Sequence, residues 1–130
     1  DVSGRNLVWT VEPEPRVVVI DCDGFRKAGT DAVTKAKQSP DWFDKHLVGP
    51  TNLDSDLYKL ALAVFRAYFS ATISHPDRPL TLGSMTDEDK ALLEFSIRGT
   101  SQSSRPSAME WQLLLQRFLS LRKVLSFRHL

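Results

Sequence analysis

Hydrophobic residues follow two different patterns in this chain, and the change falls after about residue 21. Before it lie two short runs rich in β-branched and aromatic residues, at about 6–11 and 16–21. Between them stand Pro13 and Pro15, which have no backbone N–H to give to a β-ladder. The pattern therefore predicts a β-hairpin with strands at about 6–11 and 16–21.

The remainder of the chain has the apolar spacing of helices, with predicted bounds of about 41–47, 55–70, 87–98 and 107–126. The helix predicted at 55–70 is apolar on nearly every side, which is typical of a helix at the centre of a core. Capping side chains stand at the start of three of the helices: Asp54-Ser55-Asp56, Thr86-Asp87-Glu88-Asp89, and the Ser-x-x-Glu pair Ser107 and Glu110. We therefore expect an α+β fold that is predominantly helical.

Composition limits the function classes. The chain has 130 residues, 42% of them hydrophobic, which fits one globular domain. Its 17 basic and 16 acidic residues are mixed along the sequence, so we expect no nucleic-acid partner. The single cysteine, Cys22, excludes an internal disulfide and fits a cytoplasmic location. The most apolar stretch, 57–73, includes Lys59 and Arg66 and is shorter than the roughly 20 residues of a membrane span, so no membrane association is predicted.

Five short motifs occur in a fixed order along the chain. They are Asp1 with Asn6, Asp21 after an apolar run, Pro40-Asp41-Trp42-Phe43-Asp44, Ser55-Asp56-Leu57-Tyr58-Lys59-Leu60-Ala61, and Arg105-Pro106-Ser107-Ala108-Met109-Glu110. In this order they resemble the D-x-x-x-x-N catalytic loop, the metal-binding aspartate, the A-P-E motif, the S-D-x-Y-x-L-G string and the R-P-S-A-x-E string of protein kinases. The chain thus resembles the carboxyl-terminal lobe of a protein kinase domain, over nearly its whole length.

The resemblance implies a phosphoryl-transfer site. Asp1 would be the catalytic residue that orients the hydroxyl of the phosphoacceptor. Asn6 and Asp21 would be the metal ligands, offering oxygen atoms to Mg²⁺ while the phosphates of ATP and water complete its coordination. Ser3 stands where serine/threonine kinases usually have a lysine, and Arg5 is a possible phosphate contact in its place.

The resemblance also implies three supporting residues. Asp56 would anchor the backbone of the catalytic loop from the central helix. Asp44 would pair with Arg105, in the position that a glutamate takes in the buried ion pair of the family. The implied division of the chain is a catalytic loop and metal-binding hairpin at 1–23, an activation segment at 24–47 and a helical subdomain at 48–130.

Two further departures from the family pattern leave several functions open. Asp21-Cys22-Asp23-Gly24 replaces D-F-G, and nothing in the chain corresponds to the N-terminal lobe, so we expect the chain alone to be inactive and to need that lobe as a partner. The leading hypothesis is part of a bacterial-type kinase that transfers the γ-phosphate of ATP to Ser or Thr of a protein substrate. The alternatives are a pseudokinase-type binding or scaffolding module and a small-molecule phosphotransferase like aminoglycoside or choline kinases. The matches at 55–60 and 105–110 argue against the last of these.

Histidine and tryptophan residues add no further site at this stage. His46, His75 and His129 lack the spacing of a metal centre. The tryptophans, Trp9, Trp42 and Trp111, lie in apolar patterns, so we expect them in the core rather than on a base-stacking surface.

Overall fold

The protein folds as an α+β structure that is mostly helical, as the sequence predicts. The structure, a computed structural model, describes residues 6–10, 16–20, 39–49, 51–71, 73–78, 83–102 and 104–127, with the backbone alone for Trp9 and 121–127. In chain order the elements are β1 (Leu7–Thr10), β2 (Arg16–Val19), a 3₁₀ turn (Pro40–Trp42), α1 (Leu53–Tyr68), α2 (Asp87–Thr100) and α3 (Ala108–Phe127). None of the described helices is long and apolar enough to cross a membrane.

The predicted hairpin is present. Strands β1 and β2 pair antiparallel, with Leu7 opposite Val19 and Thr10 opposite Arg16. One more backbone hydrogen bond, from the N–H of Ile20 to the carbonyl of Asn6 at 2.8 Å, continues the pairing beyond the strands. The remaining predicted strand residues, 11 and 21, lie outside the described part of the chain.

Helix α1 lies at the centre of the core, as predicted. Tyr58, Ala61, Leu62 and Phe65 are each at most 2% exposed, and Leu92 of α2 is fully buried. Burial on this scale favours folding because each large apolar side chain removed from water contributes roughly 1.5–3 kcal/mol. The core therefore forms around α1.

The start of α1 differs from the prediction. The N-cap is Asn52, whose side-chain oxygen accepts from the backbone N–H of Ser55 at 3.0 Å. The Ser55 hydroxyl in turn accepts from the backbone N–H of Asn52 at 3.0 Å. This reciprocal capping box starts the helix at Leu53, two residues before the predicted bound of 55. The predicted capping role of Asp54 and Asp56 is therefore wrong, because both residues lie inside the first turn of α1.

Helix α2 begins at the predicted residue, and α3 begins one residue after its predicted start. The Thr86 hydroxyl accepts from the N–H of Asp89 at 3.1 Å, and the Asp89 carboxylate accepts from the N–H of Thr86 at 2.7 Å. Ser107 and Glu110 form the same reciprocal pair, with the Ser107 N–H donating to Glu110 at 2.7 Å. Both predicted capping positions are thus confirmed, and each helix ends slightly beyond its predicted bound.

A glycine allows α1 and α2 to approach closely. A methyl group at Gly99 of α2 would overlap the Cβ of Ala61 on α1, and it would lie 3.5 Å from the ring of Trp111. Trp111, from α3, is 2% exposed and packs edge-to-face against Phe95 with ring centroids 5.5 Å apart. The three helices therefore meet around Gly99, and Trp111 belongs to the core as expected.

The helix predicted at 41–47 is wrong. Only the single 3₁₀ turn Pro40–Trp42 forms, and Phe43 is extended at φ −74° and ψ 128°. The Asp44 carboxylate then accepts from the backbone N–H of His46 at 3.0 Å, and the Asp44 carbonyl accepts from the N–H of Leu47 at 3.0 Å. Such side-chain to backbone bonds favour a turn over a helix. The result is that Asp44 points into the protein interior, where it is 1% exposed.

Candidate functional site

Of the predicted catalytic and metal-binding residues, the structure places Asn6. It lies at the open end of the hairpin, is partly buried, and is joined through its carbonyl to Ile20. Ile20 directly precedes Asp21 in the sequence. Asp1, Arg5 and Asp21 lie outside the described residues, as do 24–38 of the predicted activation segment.

The described ranges contain no cluster of metal-binding side chains. Among them, no group of three or more His, Cys, Asp or Glu side chains is arranged to hold a metal ion. The predicted pair Asn6 and Asp21 is a smaller set, which suits Mg²⁺ because that ion keeps water and phosphate among its ligands. The carboxamide oxygen of Asn6 is a hard oxygen donor of the kind that Mg²⁺ takes.

Asp44 and Arg105 form a buried ion pair. A terminal nitrogen of Arg105 lies 2.7 Å from Oδ2 of Asp44, and both side chains are only 2% exposed. The two residues are 61 positions apart in the chain. The pairing expected from the family resemblance is therefore present in the structure, and it joins the segment at 39–49 to the residues that precede α3.

Arg105 has further partners that extend this junction. Its Nε donates to the carbonyl of Ser101 at 2.7 Å, and its terminal nitrogen lies 2.7 Å from both the carbonyl and the carboxylate of Asp54. The guanidinium carbon lies 5.3 Å from the centroid of the Tyr58 ring. Burial raises the pKa of Tyr58 to about 12, and the negative charge of Asp44 acts in the same direction. Arg105 thus holds the start of α1, the end of α2 and Asp44 together.

Arg66 is a second buried arginine, and the sequence analysis missed its role. It is 8% exposed, its Nε donates to the carbonyl of Ser74 at 3.1 Å, and its NH2 group donates to the carbonyl of Asp41 at 2.8 Å. The guanidinium carbon also lies 4.6 Å from the centroid of the Trp42 ring, within the range of a cation–π contact. Burial lowers the pKa of Arg66. The available signal was an arginine within the largely apolar second half of α1.

Asp56 and Lys59 lie next to each other in different surroundings. Asp56 is exposed, and the catalytic loop that it would anchor, 1–5, lies outside the described residues. Lys59 is 2% exposed, and burial lowers its pKa while the charges of Asp56 and Asp44 oppose that change. A buried lysine beside these two acidic residues was not anticipated from the sequence.

The described part of the candidate site is mainly its scaffold. It contains Asn6 and the Asp44–Arg105 pair with its surrounding contacts. Comparisons of the chain with protein-family models, curated proteins and solved structures found no match. The roles of Asp1, Arg5 and Asp21 remain predictions from their sequence motifs.

Proposed function

We propose that this chain is the carboxyl-terminal lobe of a cytoplasmic serine/threonine protein kinase. With an N-terminal lobe, it would transfer the γ-phosphate of ATP to a protein substrate. Asp1 would orient the attacking hydroxyl, and Asn6 and Asp21 would hold the magnesium that neutralises charge on the phosphates. Arg5 would add positive charge near the transferred phosphate. The five ordered motifs are the sequence basis of the proposal.

The buried Asp44–Arg105 pair is the observation that carries the proposal. Hydrophobic periodicity and composition give no reason to expect a contact between these positions, whereas the kinase resemblance predicts this pair. Burial of two charges is costly unless both are well paired, so a contact of 2.7 Å between side chains that are 2% exposed is a specific feature. Asp44 is shorter than the glutamate of the family, and the turn at 44–47 brings it within reach of Arg105.

The contact between α1 and α2 accounts for one departure from the family motif. Ala61 occupies the last position of the S-D-x-Y-x-L-G string, where the family has glycine. In this chain the methyl group of Ala61 on α1 faces Gly99 on α2. Because Gly99 has no side chain, the two helices can still approach closely. The substitution at Ala61 is therefore compatible with a closely packed central helix.

The register of the hairpin supports the proposed metal ligands. Asn6 and Ile20 face each other through a backbone hydrogen bond of 2.8 Å. Asp21 is the next residue in the chain, and as the second ligand it would join Asn6 at this end of the hairpin. A metal ion that bridges two phosphate groups needs few protein ligands, and this pair would supply them.

Phosphoryl transfer by the native polypeptide, with an N-terminal lobe present, tests the proposal. We expect Mg²⁺-dependent transfer from ATP to serine or threonine, with Asp1→Asn and Asp21→Asn each reducing it by at least about 100-fold. Asp41→Asn is the matched control, because Asp41 is exposed and its hydrogen bond to Arg66 is made by the backbone carbonyl, which the substitution keeps, so its activity should equal that of the wild type. Transfer that survives Asp21→Asn would contradict the metal assignment. Absence of transfer together with retained binding of a partner protein would favour a pseudokinase.

A further inference from the structure

A chain of hydrogen-bonding side chains connects three segments beside α1. The hydroxyl of Tyr58 on α1 lies 3.0 Å from Nε2 of His75. Nδ1 of His75 contacts Oδ1 of Asp77, and Oδ2 of Asp77 lies 2.8 Å from Nζ of Lys45. The series thus runs from a buried tyrosine through the loop at 73–78 to the segment at 39–49.

The geometry fits the neutral form of His75. With its proton on Nδ1, the ring donates to the carboxylate of Asp77, and its Nε2 accepts from the hydroxyl of Tyr58. The side-chain groups of the series then each have a complementary partner, and the 3.3 Å approach of the Asp77 backbone N–H to Nδ1 is a contact that this tautomer does not use. A second proton on Nε2 would face the Tyr58 hydroxyl, which would have to turn its own proton away inside the core, where Tyr58 is 2% exposed.

The charges around His75 also disfavour a second proton. Arg66 of α1 and Lys45 of the segment at 39–49 are positive charges that lower the pKa of His75. Asp77, from the same loop as His75, is a negative charge that raises it. Asp77 is already paired with Lys45. The His75 side chain is 15% exposed, and its burial lowers the pKa below the ordinary value of 6.5, an effect that Asp77 only partly offsets.

We propose that His75 is a pH-sensitive clasp, which holds the loop at 73–78 against α1 when neutral and releases it when protonated. The clasp does not depend on the proposed kinase function. Release would also loosen the contacts that this loop makes elsewhere, namely Lys45 with Asp77 and Arg66 with the carbonyl of Ser74. Acidification would thereby free one side of the segment that carries Asp44.

The direction of the pH effect follows from linkage. Since the pKa of His75 is lowered in the folded state, the unfolded or released state binds more protons below about pH 6.5. The stabilisation from neutral His75 is therefore complete above that pH, and it is lost as the pH falls through the lowered pKa.

Amide hydrogen exchange measured by NMR tests the clasp. The reporter is the backbone N–H of Arg78, which donates to the carbonyl of His75 at 3.0 Å. We expect its protection factor to fall by roughly two- to tenfold between about pH 7.5 and about pH 5.5, while protection in α2 is retained. His75→Gln should remove this pH dependence, because glutamine bonds to Tyr58 without titrating near neutrality. His46→Gln is the matched control and should respond as the wild type does.

Two results would overturn the clasp. One is a His75→Gln variant with the pH response of the wild type, and the other is an equal loss of protection in α2, which would indicate global unfolding. If His75→Gln does not fold, the imidazole resonances of the wild-type protein decide. A His75 ring that titrates below about pH 6.5 and carries its neutral proton on Nδ1 supports the proposal, and a ring that titrates above that value contradicts it.

Discussion

Arg66 and Arg105 act in similar ways, since each brings a positive charge into the interior and binds backbone carbonyls there. Arg105 reaches Ser101 and Asp54, and Arg66 reaches Ser74 and Asp41. A guanidinium group suits this role because its five N–H groups fan out in a plane and it remains charged when buried. These two residues tie the loops to α1 at points where apolar packing alone does not specify their course.

Loss of the Arg105 side chain should strongly destabilise the fold. We expect Arg105→Ala to lower the free energy of unfolding by about 3–5 kcal/mol, because the buried carboxylate of Asp44 would lose its direct ion-pair partner. Urea denaturation followed by circular dichroism measures the change. Arg98→Ala is the matched control, since Arg98 pairs with Glu110 at a half-exposed position and its loss should cost much less. Equal effects of the two substitutions would contradict a special role for Arg105.

At the scale of elements, the described helices follow from local sequence signals and one close contact. Thr86 with Asp89 and Ser107 with Glu110 are capping pairs with a recognisable spacing, so the starts of α2 and α3 were predictable. The start of α1 at Leu53 was not predictable. In its capping box the N-cap is Asn52, and Ser55 stands at the third helical position, which usually holds Glu or Gln. The approach of α1 to α2 depends on which residues face each other, and a single sequence does not reveal such a pairing.

The contact at Gly99 should tolerate no added methyl group. We expect Gly99→Ala to lower the free energy of unfolding by about 1–3 kcal/mol, because the new Cβ would overlap the Cβ of Ala61. Thermal denaturation measures this loss, and Ala61→Gly in the same chain should recover part of it. Gly83→Ala is the control, because a methyl there meets nothing within 4 Å. A Gly99→Ala variant as stable as the Gly83→Ala variant would show that the helices do not meet as described.

At the scale of the whole molecule, sequence analysis predicted the fold class and the pair Asp44 and Arg105, but not the polar interior around them. The α+β class follows from the change of hydrophobic period after the hairpin. Arg66, Lys59 and the series from Tyr58 to Lys45 were missed, because burial of a charged residue depends on the loops that fold over it. The helix prediction at 41–47 is wrong for a related reason. The buried carboxylate of Asp44 binds the backbone N–H of His46, which favours a turn over a helix.

The hairpin end is the part of the molecule on which the proposed chemistry depends. If Asn6 and Asp21 hold the metal, a cation bound with nucleotide must lie within a few ångströms of the Asn6–Ile20 backbone bridge. The acidic first turn of α2, with Asp87, Glu88 and Asp89, is a competing surface that could attract a cation. These two places can be distinguished in one experiment.

Paramagnetic line broadening by Mn²⁺ and ATP, measured on the chain together with the proposed N-terminal lobe, tests the central claim most directly. We expect the backbone amides of Asn6, Leu7 and Ile20 to broaden when both are present, and Asp21→Asn to abolish this effect while Asp41→Asn preserves it. Broadening confined to 87–89, or unchanged by Asp21→Asn, would contradict the assignment of Asn6 and Asp21 as ligands of a kinase metal site.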